Sequence, residues 1–382
     1  MLGNRKFVVD NFCEIQALVR PWADDEFWNF SQHTVIPGAI YMIGRRQFMD
    51  HNQQIKELAA AGTIFPIFSN PMEGSDTMVH QINRAGYAEL CLQNNALIIT
   101  GGDMPAEYPH LLFDNFLVKV LDFDENIEAM KSTDKIYINS NKPYKFLFLN
   151  GRGRNHRRYL LERFKINGLL NQSLWTNLDD RKIYSLDLKY NYQGHEFGNT
   201  PFEVQQLPCH YEVDRYLDQL DKPIENTTQD LYIKYHLFNQ EWGDIYINPS
   251  PYIDTYFSFV TETVFSYTHS FRTEKIAKPI AMAHPFIVAS NEGYYRDLHN
   301  IGFKTFGHLI DESFDSIKDP QTRLERISTV VEDLCQQNLA EFLSAAEEVC
   351  KYNQQHLIEL HSKIYQEFPD RFYQFVKPYI NE

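Results

Sequence analysis

The chain has 382 residues, and 36 Lys and Arg side chains stand against 51 Asp and Glu side chains, giving a formal net charge of −15. This length suggests two or three domains, and a hydrophobic fraction of 43% is ample for packed cores. A protein this acidic repels polyanions on average, which argues against nucleic acid as a partner.

Short apolar runs alternate with helical patterns over the first 140 residues. Runs of four to eight apolar residues separated by helices are typical of a parallel sheet with helices on both faces. The sequence therefore predicts a doubly wound, Rossmann-like domain over 1–140. Its strands are expected at 6–10, 38–44, 63–70, 95–102 and 116–123, and its helices at 46–62 and 76–92.

A polar stretch at 132–144 predicts a linker, after which the pattern begins again. An apolar strand, a Gly-containing turn and an amphipathic helix over 145–170 indicate a βα unit that opens a second Rossmann-like domain, 145–330. Within it, 176–252 is an irregular insertion rich in Tyr, Asn and Pro. Further elements are strand 256–263, helix 273–283, strand 285–290 and a helix from 293, followed by C-terminal helices over 331–382. Two such α/β domains should face a cleft at the carboxyl ends of their strands, where ligands bind.

The turn Asn150–Arg158 follows a strand and opens a helix. A helix N-terminus carries a partial positive charge, so adding cations there is unfavourable unless an anion such as a diphosphate binds. The turn is neither GxGxxG nor a Walker loop, which argues against a dinucleotide site or ATP hydrolysis. The alternative is a solvated basic turn, with Arg157 and Arg158 on the helix surface. The candidate ligands are Asn150, Arg152, Arg154 and His156.

A second charged cluster lies around the start of helix 273–283. Glu262 ends the preceding strand, and Thr273 can cap the helix. A Lys beside an Arg can clamp phosphates, and a Glu can hold the hydroxyls of a ribose. An ordinary Glu–Lys surface pair explains the same spacing, so the residues alone leave both interpretations open. The candidate ligands are Glu262, Arg272, Glu274, Lys275 and Lys278.

Segment 256–315 resembles the donor-binding half of glycosyltransferase-like proteins of large phages and marine bacteria, which are distantly similar to the family 10 fucosyltransferases. That family has an acidic residue after a strand, a Thr-Glu-Lys element opening a helix, and a Pro-containing strand. Corresponding positions are Glu262, Thr273, Glu274, Lys275 and Pro285, and in the earlier basic turn Asn150, Arg152, Arg154, His156 and Arg157. The group usually has Pro where this chain has Gly153 or Asn155. The resemblance covers 145–175 and 235–330.

The resemblance implies a GT-B glycosyltransferase, hexosyl- or fucosyltransferase-like, that uses a nucleotide-diphosphate sugar with neither metal nor further cofactor. Its donor would lie on the second domain, and its acceptor would be a glycan or another hydroxyl compound. Cations and helix dipoles would stabilise the departing diphosphate. An inverting reaction also needs a base for the acceptor hydroxyl, and a loop after a first-domain strand should supply it. The candidates are Asp103, Glu73 and Asp10.

Several alternatives stay open at this stage. Asp122 and Asp124 form a DxD motif that holds a divalent ion in other glycosyltransferases, although an acidic first helical turn explains it without metal. The aromatic residues of 175–255 could shape a sugar site or simply pack an insertion; they include Trp175, Tyr190, Tyr192 and Trp242. Two other functions fit the same pattern, namely glycosylation of modified DNA bases and non-catalytic sugar or nucleotide binding by a structural protein.

The start of the chain and its cysteines predict a cytoplasmic protein without a membrane span. The start has neither a long apolar run nor a small-residue cleavage site, and no apolar stretch reaches the roughly 18 residues that a membrane helix needs. The five cysteines are scattered without a CxxC pair, which favours reduced thiols. For a viral protein the compartment would be the host cytoplasm.

Overall fold

The computed structural model describes residues 5–72, 75–151, 153–177, 191–192, 195–196, 202–205, 207 and 247–380. Two compact units divide the chain. Unit 1 lies within Met1–Phe116, Tyr267–Arg272 and Glu359–Glu382, and unit 2 within Leu117–Ser266 and Thr273–Ile358. The predicted site residues Glu73 and Arg152, and the aromatic residues Tyr190 and Trp242, lie outside the described residues.

Unit 1 contains a six-stranded parallel sheet in the order β2-β1-β3-β4-β5-β6. Strands β1, β3 and β5 are mostly apolar and are buried along their whole length, as expected for a sheet covered on both faces. The register pairs Val8 with Tyr41 and Phe68 with Ile98. The strands are β1 Phe7–Asp10, β2 Asp25–Phe27, β3 Ile40–Gly44, β4 Phe65–Asn70, β5 Leu97–Thr100 and β6 His110–Leu112.

The two helices predicted for unit 1 form where expected, but each is divided into two shorter helices. The predicted helix 46–62 divides at His51, and the predicted helix 76–92 divides at Gly86, whose φ of 81° ends the first part. The helices are α1 Gln16–Val19, α2 Arg45–Asp50, α3 Asn52–Ala60, α4 Ser75–Ala85 and α5 Ala88–Leu92.

The strand predicted at 116–123 is wrong. The chain there forms α6, Asn115–Val118, and a 3-10 turn, Lys119–Asp122. A short, wholly apolar run does not distinguish a buried strand from a buried helix, because no polar face reveals the period. The strands β2 and β6, which the sequence did not indicate, have three residues each.

Unit 2 contains a four-stranded parallel sheet in the order β12-β11-β7-β8. Its strands are β7 Tyr144–Phe148, β8 Leu174–Trp175, β11 Thr255–Thr261 and β12 Phe286–Ala289. A short antiparallel pair, β9 Asn191–Tyr192 and β10 His195–Glu196, lies apart from this sheet in the strand pairing. The helices are α7 Asp124–Met130, α8 Asp134–Ile138, α9 Asn155–Ile166, α10 Ser250–Ile253, α11 Glu274–Ala281, α12 Tyr294–Asn300 and α13 Pro320–Leu334.

The last helix, α14 Leu339–Ile380, contributes side chains to both cores. In unit 2, Phe342 lies with its ring centroid 6.2 Å from that of Phe257. In unit 1, Phe368 packs 4.7 Å from Phe113, and Phe372 packs 5.9 Å from Phe7. Unit 1 therefore draws its core from the two ends of the sequence.

The protein is of the α/β class, with two parallel sheets and surrounding helices. Among the described residues, no helix has the length and apolar character needed to cross a bilayer. Cys13, Cys91, Cys335 and Cys350 are buried and without disulfide bonds, and Cys209 lies outside the described residues.

Candidate functional site

Polar residues gather at the carboxyl edge of the unit 2 sheet. Asn150 follows β7, and Glu262 follows β11 directly. Because the two strands are parallel neighbours, their ends meet at one edge. The side chain of Thr261 donates to Asn150 Oδ1 at 2.9 Å, which joins the two turns. Helices α9 and α11 both begin at this edge, so two partially positive helix ends lie there.

Asn150 is buried and holds the turn after β7. Its backbone N–H donates to Thr176 Oγ1 at 2.8 Å, while its side-chain Nδ2 has no hydrogen-bond partner among the described residues. A buried donor in this state costs free energy unless a ligand or water supplies an acceptor. The next residue, Gly151, is exposed, and a Cβ placed there would meet no atom of the described chain within 4 Å. The turn thus combines a buried amide donor with open space.

Arg157 lies inside this edge instead of on the helix surface, which corrects the solvated-turn alternative. Its Nη2 donates to the carbonyl oxygens of Thr261 and Glu262 at 2.9 and 3.2 Å. Burial and the nearby Arg154 lower the pKa of Arg157 to about 10, while Glu262 and Glu274 oppose them. Arg157 is therefore close enough to interact electrostatically with Arg154, the N-cap of α9, and with Glu274 of α11.

His156 has a structural position. Its ring is buried and stacked on Phe265, with centroids 4.9 Å apart, and its Nε2 donates to the Glu262 carbonyl at 3.0 Å. Burial and Arg157 lower the pKa of His156 well below its usual 6.5, so the ring is neutral. His156 thus joins the first turn of α9 to the end of β11.

Glu262 positions α11. Its carboxylate is buried and accepts from the backbone N–H of Thr273 at 3.1 Å, from the Thr273 hydroxyl at 2.6 Å and from Tyr294 Oη at 3.1 Å. Burial raises the pKa of Glu262, and Lys275 opposes that shift. With both oxygens engaged, this carboxylate holds the N-cap Thr273 in place, which differs from the expected role as a ligand for ribose hydroxyls.

The first turn of α11 carries an accessible cation beside a buried anion. Thr273 caps the helix by accepting from the Lys275 N–H at 3.3 Å. The Lys275 ammonium contacts Glu274 Oε1, and 26% of its side chain is exposed. Burial acts to raise the pKa of Glu274, but Lys275 and Lys278 outweigh it and the net pKa is lowered. Lys275 and the exposed Arg154 are thus two cations of this edge that a ligand can reach.

Two further arginines near the site are structural. Arg158, which the solvated-turn alternative put on the helix surface, is buried, pairs with Glu162 and lies 4.6 Å from the ring centre of Phe202. Arg323 of α13 donates to the carbonyl oxygens of Phe265 and Ser290 at 2.5 and 3.1 Å. The sequence did not indicate Arg323, because a lone Arg in a long polar helix looks like any surface cation.

Arg272 belongs to unit 1, and this corrects its expected role as a phosphate ligand beside Lys275. Only 1% of its side chain is exposed, and it donates to Asp114 Oδ2 at 2.5 Å and to Asp103 Oδ2 at 3.3 Å. A guanidinium enclosed by two carboxylates is neutralised by the protein itself. Asp103 consequently carries an ion pair, although 35% of its side chain remains exposed.

Asp10, another candidate base, lies at the end of β1 and is fully buried. Its oxygens accept from the backbone N–H of Phe12 at 2.9 Å and of Gly44 at 3.0 Å. Burial raises the pKa of Asp10 from 3.8 to about 6, and the two N–H donors oppose that shift. The carboxyl group fastens the loop after β1 to the end of β3.

Asp10 is therefore expected to make stability fall as the pH rises from about 4 to 6. Because the folded pKa exceeds the unfolded one, the stabilisation is complete below pH 3.8 and lost through about pH 6. Over that window wild type should lose about 2–3 kcal/mol more than Asp10→Asn. Urea unfolding of both proteins at several pH values measures this difference. Because other groups titrate equally in both proteins, the difference reports Asp10 alone; one such group is Glu312, whose pKa is raised by burial to about 7. Parallel curves for the two proteins would contradict this assignment.

Two surface clefts lie away from these polar residues. One of about 570 Å³ is at the amino edge of the unit 1 sheet, where Lys6, Gly38 and Phe65 line it. Another of about 390 Å³ in unit 2 is lined by residues of 307–311 and 326–337. Ligands of parallel sheets bind at the carboxyl edge, and neither cleft holds the cations of the site. Among the described residues no group of three His, Cys, Asp or Glu side chains could hold a metal ion.

Fold and site together define an α/β protein in which accessible cations and a buried amide donor, unpartnered among the described residues, lie at the carboxyl edge of the second sheet. Comparisons with protein-family models, with curated proteins and with solved structures find no match for this chain.

Proposed function

We propose that the protein is a glycosyltransferase of the GT-B class, which transfers a sugar from a nucleotide-diphosphate sugar to a glycan or another hydroxyl acceptor. The observation that carries the proposal is the carboxyl edge of unit 2. There the buried Asn150 amide lacks a partner among the described residues, and Arg154 and Lys275 remain accessible at the starts of α9 and α11. The resemblance of this half of the chain to donor-binding domains supports the same conclusion.

The diphosphate would bind between the first turns of α9 and α11. Helix α9 begins after Arg154, and the partial positive charge of a helix N-terminus favours an anion there. Arg154 and Lys275 would contact the phosphate oxygens, and Arg157 would add positive potential from below. As the sugar–phosphate bond breaks, negative charge grows on the leaving diphosphate, and these fixed cations stabilise it without a metal ion.

The acceptor hydroxyl must lose a proton during transfer. Of the two described candidates, Asp103 retains an exposed side chain while Asp10 is enclosed and engaged by backbone donors. We therefore assign the base to Asp103, held in orientation by its ion pair with Arg272. A general base needs such positioning before its pKa matters.

Nucleotide binding tests the proposal. Calorimetry with GDP, UDP, CMP and ADP, with and without Mg²⁺, should reveal one preferred nucleotide. Arg154→Ala and Lys275→Ala should each weaken its binding roughly 10- to 100-fold, the value of a hydrogen bond to a charged group. Transfer of labelled sugar from the corresponding donor then separates an enzyme from a non-catalytic binding protein. Equal affinities of both variants and wild type would exclude this site.

Gly151 offers a matched pair of variants for the same experiment. Since a Cβ at this position would meet no atom of the described residues within 4 Å, Gly151→Ala should fold and bind as wild type does. Gly151→Asp also adds a Cβ, as Gly151→Ala does, but it carries a carboxylate that would repel a diphosphate bound at the turn. Loss of binding in the Asp variant alone would confirm the position of the phosphates, and equal binding in both would contradict it.

A further inference from the structure

Two exposed aromatic side chains contact each other at the carboxyl edge of the unit 1 sheet. Phe12 follows β1 and is 45% exposed, and Trp28 follows β2 and is 68% exposed. Their ring centroids lie 5.4 Å apart at an interplanar angle of 79°. We call this pair the aromatic platform. Large apolar rings exposed side by side mark a binding surface more often than single exposed ones do.

The backbone beneath the platform is fixed by buried polar side chains. Asp10 accepts from the Phe12 N–H, and Asn11 N–H donates to the Phe27 carbonyl at 3.0 Å. On the other side, buried Gln47 donates to the Trp28 carbonyl at 2.8 Å and accepts from the Phe30 N–H at 3.1 Å. The rings are thus exposed but their loops are held, which reduces the entropy lost on binding.

Hydrogen-bonding groups surround the rings. With its amide oriented to satisfy its neighbours, Asn11 accepts from Trp28 Nε1 at 3.2 Å and donates to Glu26 at 2.7 Å. Gln16 lies within 3.5 Å of the same Glu26 carboxylate. The guanidinium of Arg46 lies 5.5 Å from the centre of the Phe12 ring. The platform is therefore an apolar surface with amide, carboxylate and guanidinium groups along its rim.

The strand order places Phe12 of the platform where ligands of such sheets bind. In the order β2-β1-β3-β4, the chain crosses to one side of β1 and then to the other. In sheets of this kind, ligands bind where the strand order reverses, which here is at the carboxyl ends of β1 and β3. Phe12 follows β1 and Arg46 lies in the first turn after β3, so both lie at that reversal.

We propose that the aromatic platform binds a pyranose ring of the acceptor glycan, an inference that rests on the proposed glycosyltransferase function. One face of a pyranose presents C–H groups that pack on aromatic rings, and its hydroxyls lie around the edge, where amide and carboxylate groups accept and donate. A protein partner fits less well, because two rings surrounded by polar groups supply far less apolar area than the roughly 1,200 Å² or more of a stable interface.

Sugar binding without nucleotide tests this proposal. The full chain is mixed with methyl glycosides of glucose, galactose, mannose and N-acetylglucosamine, and saturation-transfer NMR records which ring protons contact the protein. We expect at least one glycoside to receive saturation at the C–H protons of one face. Trp28→Ala and Phe12→Ala should each weaken its binding about tenfold, and Trp28→Phe should retain more than Trp28→Ala.

Ile138→Ala is the matched control, since Ile138 is 80% exposed and lies in unit 2; its sugar binding should equal that of wild type. Thermal unfolding of each variant shows that its fold persists. Saturation transfer that is unchanged in both alanine variants, or absent for every glycoside, overturns the proposal.

Nucleotide binding by the same variants separates this proposal from the proposed function. Platform variants that lose sugar but keep nucleotide support both. If sugar binding depends on the platform but the protein binds no nucleotide, the sugar-binding proposal is supported and the glycosyltransferase proposal is contradicted. If the protein binds nucleotide and the alanine variants bind sugar as wild type does, the glycosyltransferase proposal is supported and the sugar-binding proposal is contradicted.

Discussion

Replacement of Arg272 by Ala is expected to lower the free energy of unfolding by about 3–5 kcal/mol, because it leaves buried carboxylate without its cation. Arg272 is enclosed in unit 1 and donates to Asp114 and Asp103. Although burial acts to lower it, the pKa of Arg272 is raised by these two carboxylates, so the guanidinium stays charged. Urea unfolding followed by circular dichroism measures the change.

Asp103→Asn is the comparison for Arg272→Ala. The Asp103 side chain is 35% exposed, so losing its charge should cost only about 1 kcal/mol. The free energy of unfolding of Arg272→Ala could instead lie within about 1 kcal/mol of the wild-type value. If that variant also lost nucleotide affinity, the original assignment of Arg272 to the phosphates would be right and its structural role wrong.

The second large effect is expected at Arg323. Its guanidinium donates to the carbonyl oxygens of Phe265, Ser290 and Ile317, and it lies 4.8 Å from the ring centre of Phe265. Arg323→Ala leaves these carbonyls without their donor, at a cost of about 1–3 kcal/mol for each buried group, and the free energy of unfolding should fall by at least about 3 kcal/mol. Chemical denaturation measures the change.

Two variants sharpen the Arg323 experiment. Arg326 lies on the same helix with 37% of its side chain exposed and pairs with Asp311, so Arg326→Ala should change stability by less than about 1 kcal/mol. Arg323→Lys should remain destabilised, because a single ammonium cannot reproduce the fork of a guanidinium. Equal stabilities of the two alanine variants would show that the carbonyls find other donors.

Strand positions were predictable where both faces of a strand are buried. The runs at β1, β3, β4 and β5 are apolar enough for their length to predict strands. Strand β2 begins with Asp25 and Glu26, and β6 with His110, so these short edge strands carry no apolar run. At 116–123 the opposite happened, because an apolar run packs as a helical turn.

Proximity within the site was predictable where it follows from strand ends. Asn150 and Glu262 meet because β7 and β11 are parallel neighbours. The partners of individual cations were not predictable, since pairing depends on long-range packing. Arg272 is adjacent to Thr273 in sequence, yet it pairs with Asp114, far away along the chain. The exposed pair Phe12 and Trp28 was not predictable, because the sequence does not show whether an aromatic side chain in a loop is exposed or buried.

The shared helix α14 has a consequence for synthesis on the ribosome. The core of unit 1 needs Phe368 and Phe372 against Phe113 and Phe7, and these side chains emerge only after all of unit 2 has been translated. At roughly 5–20 residues per second this delay is on the order of tens of seconds. The first part of the chain therefore lacks several side chains of its hydrophobic core until the last segment has been translated.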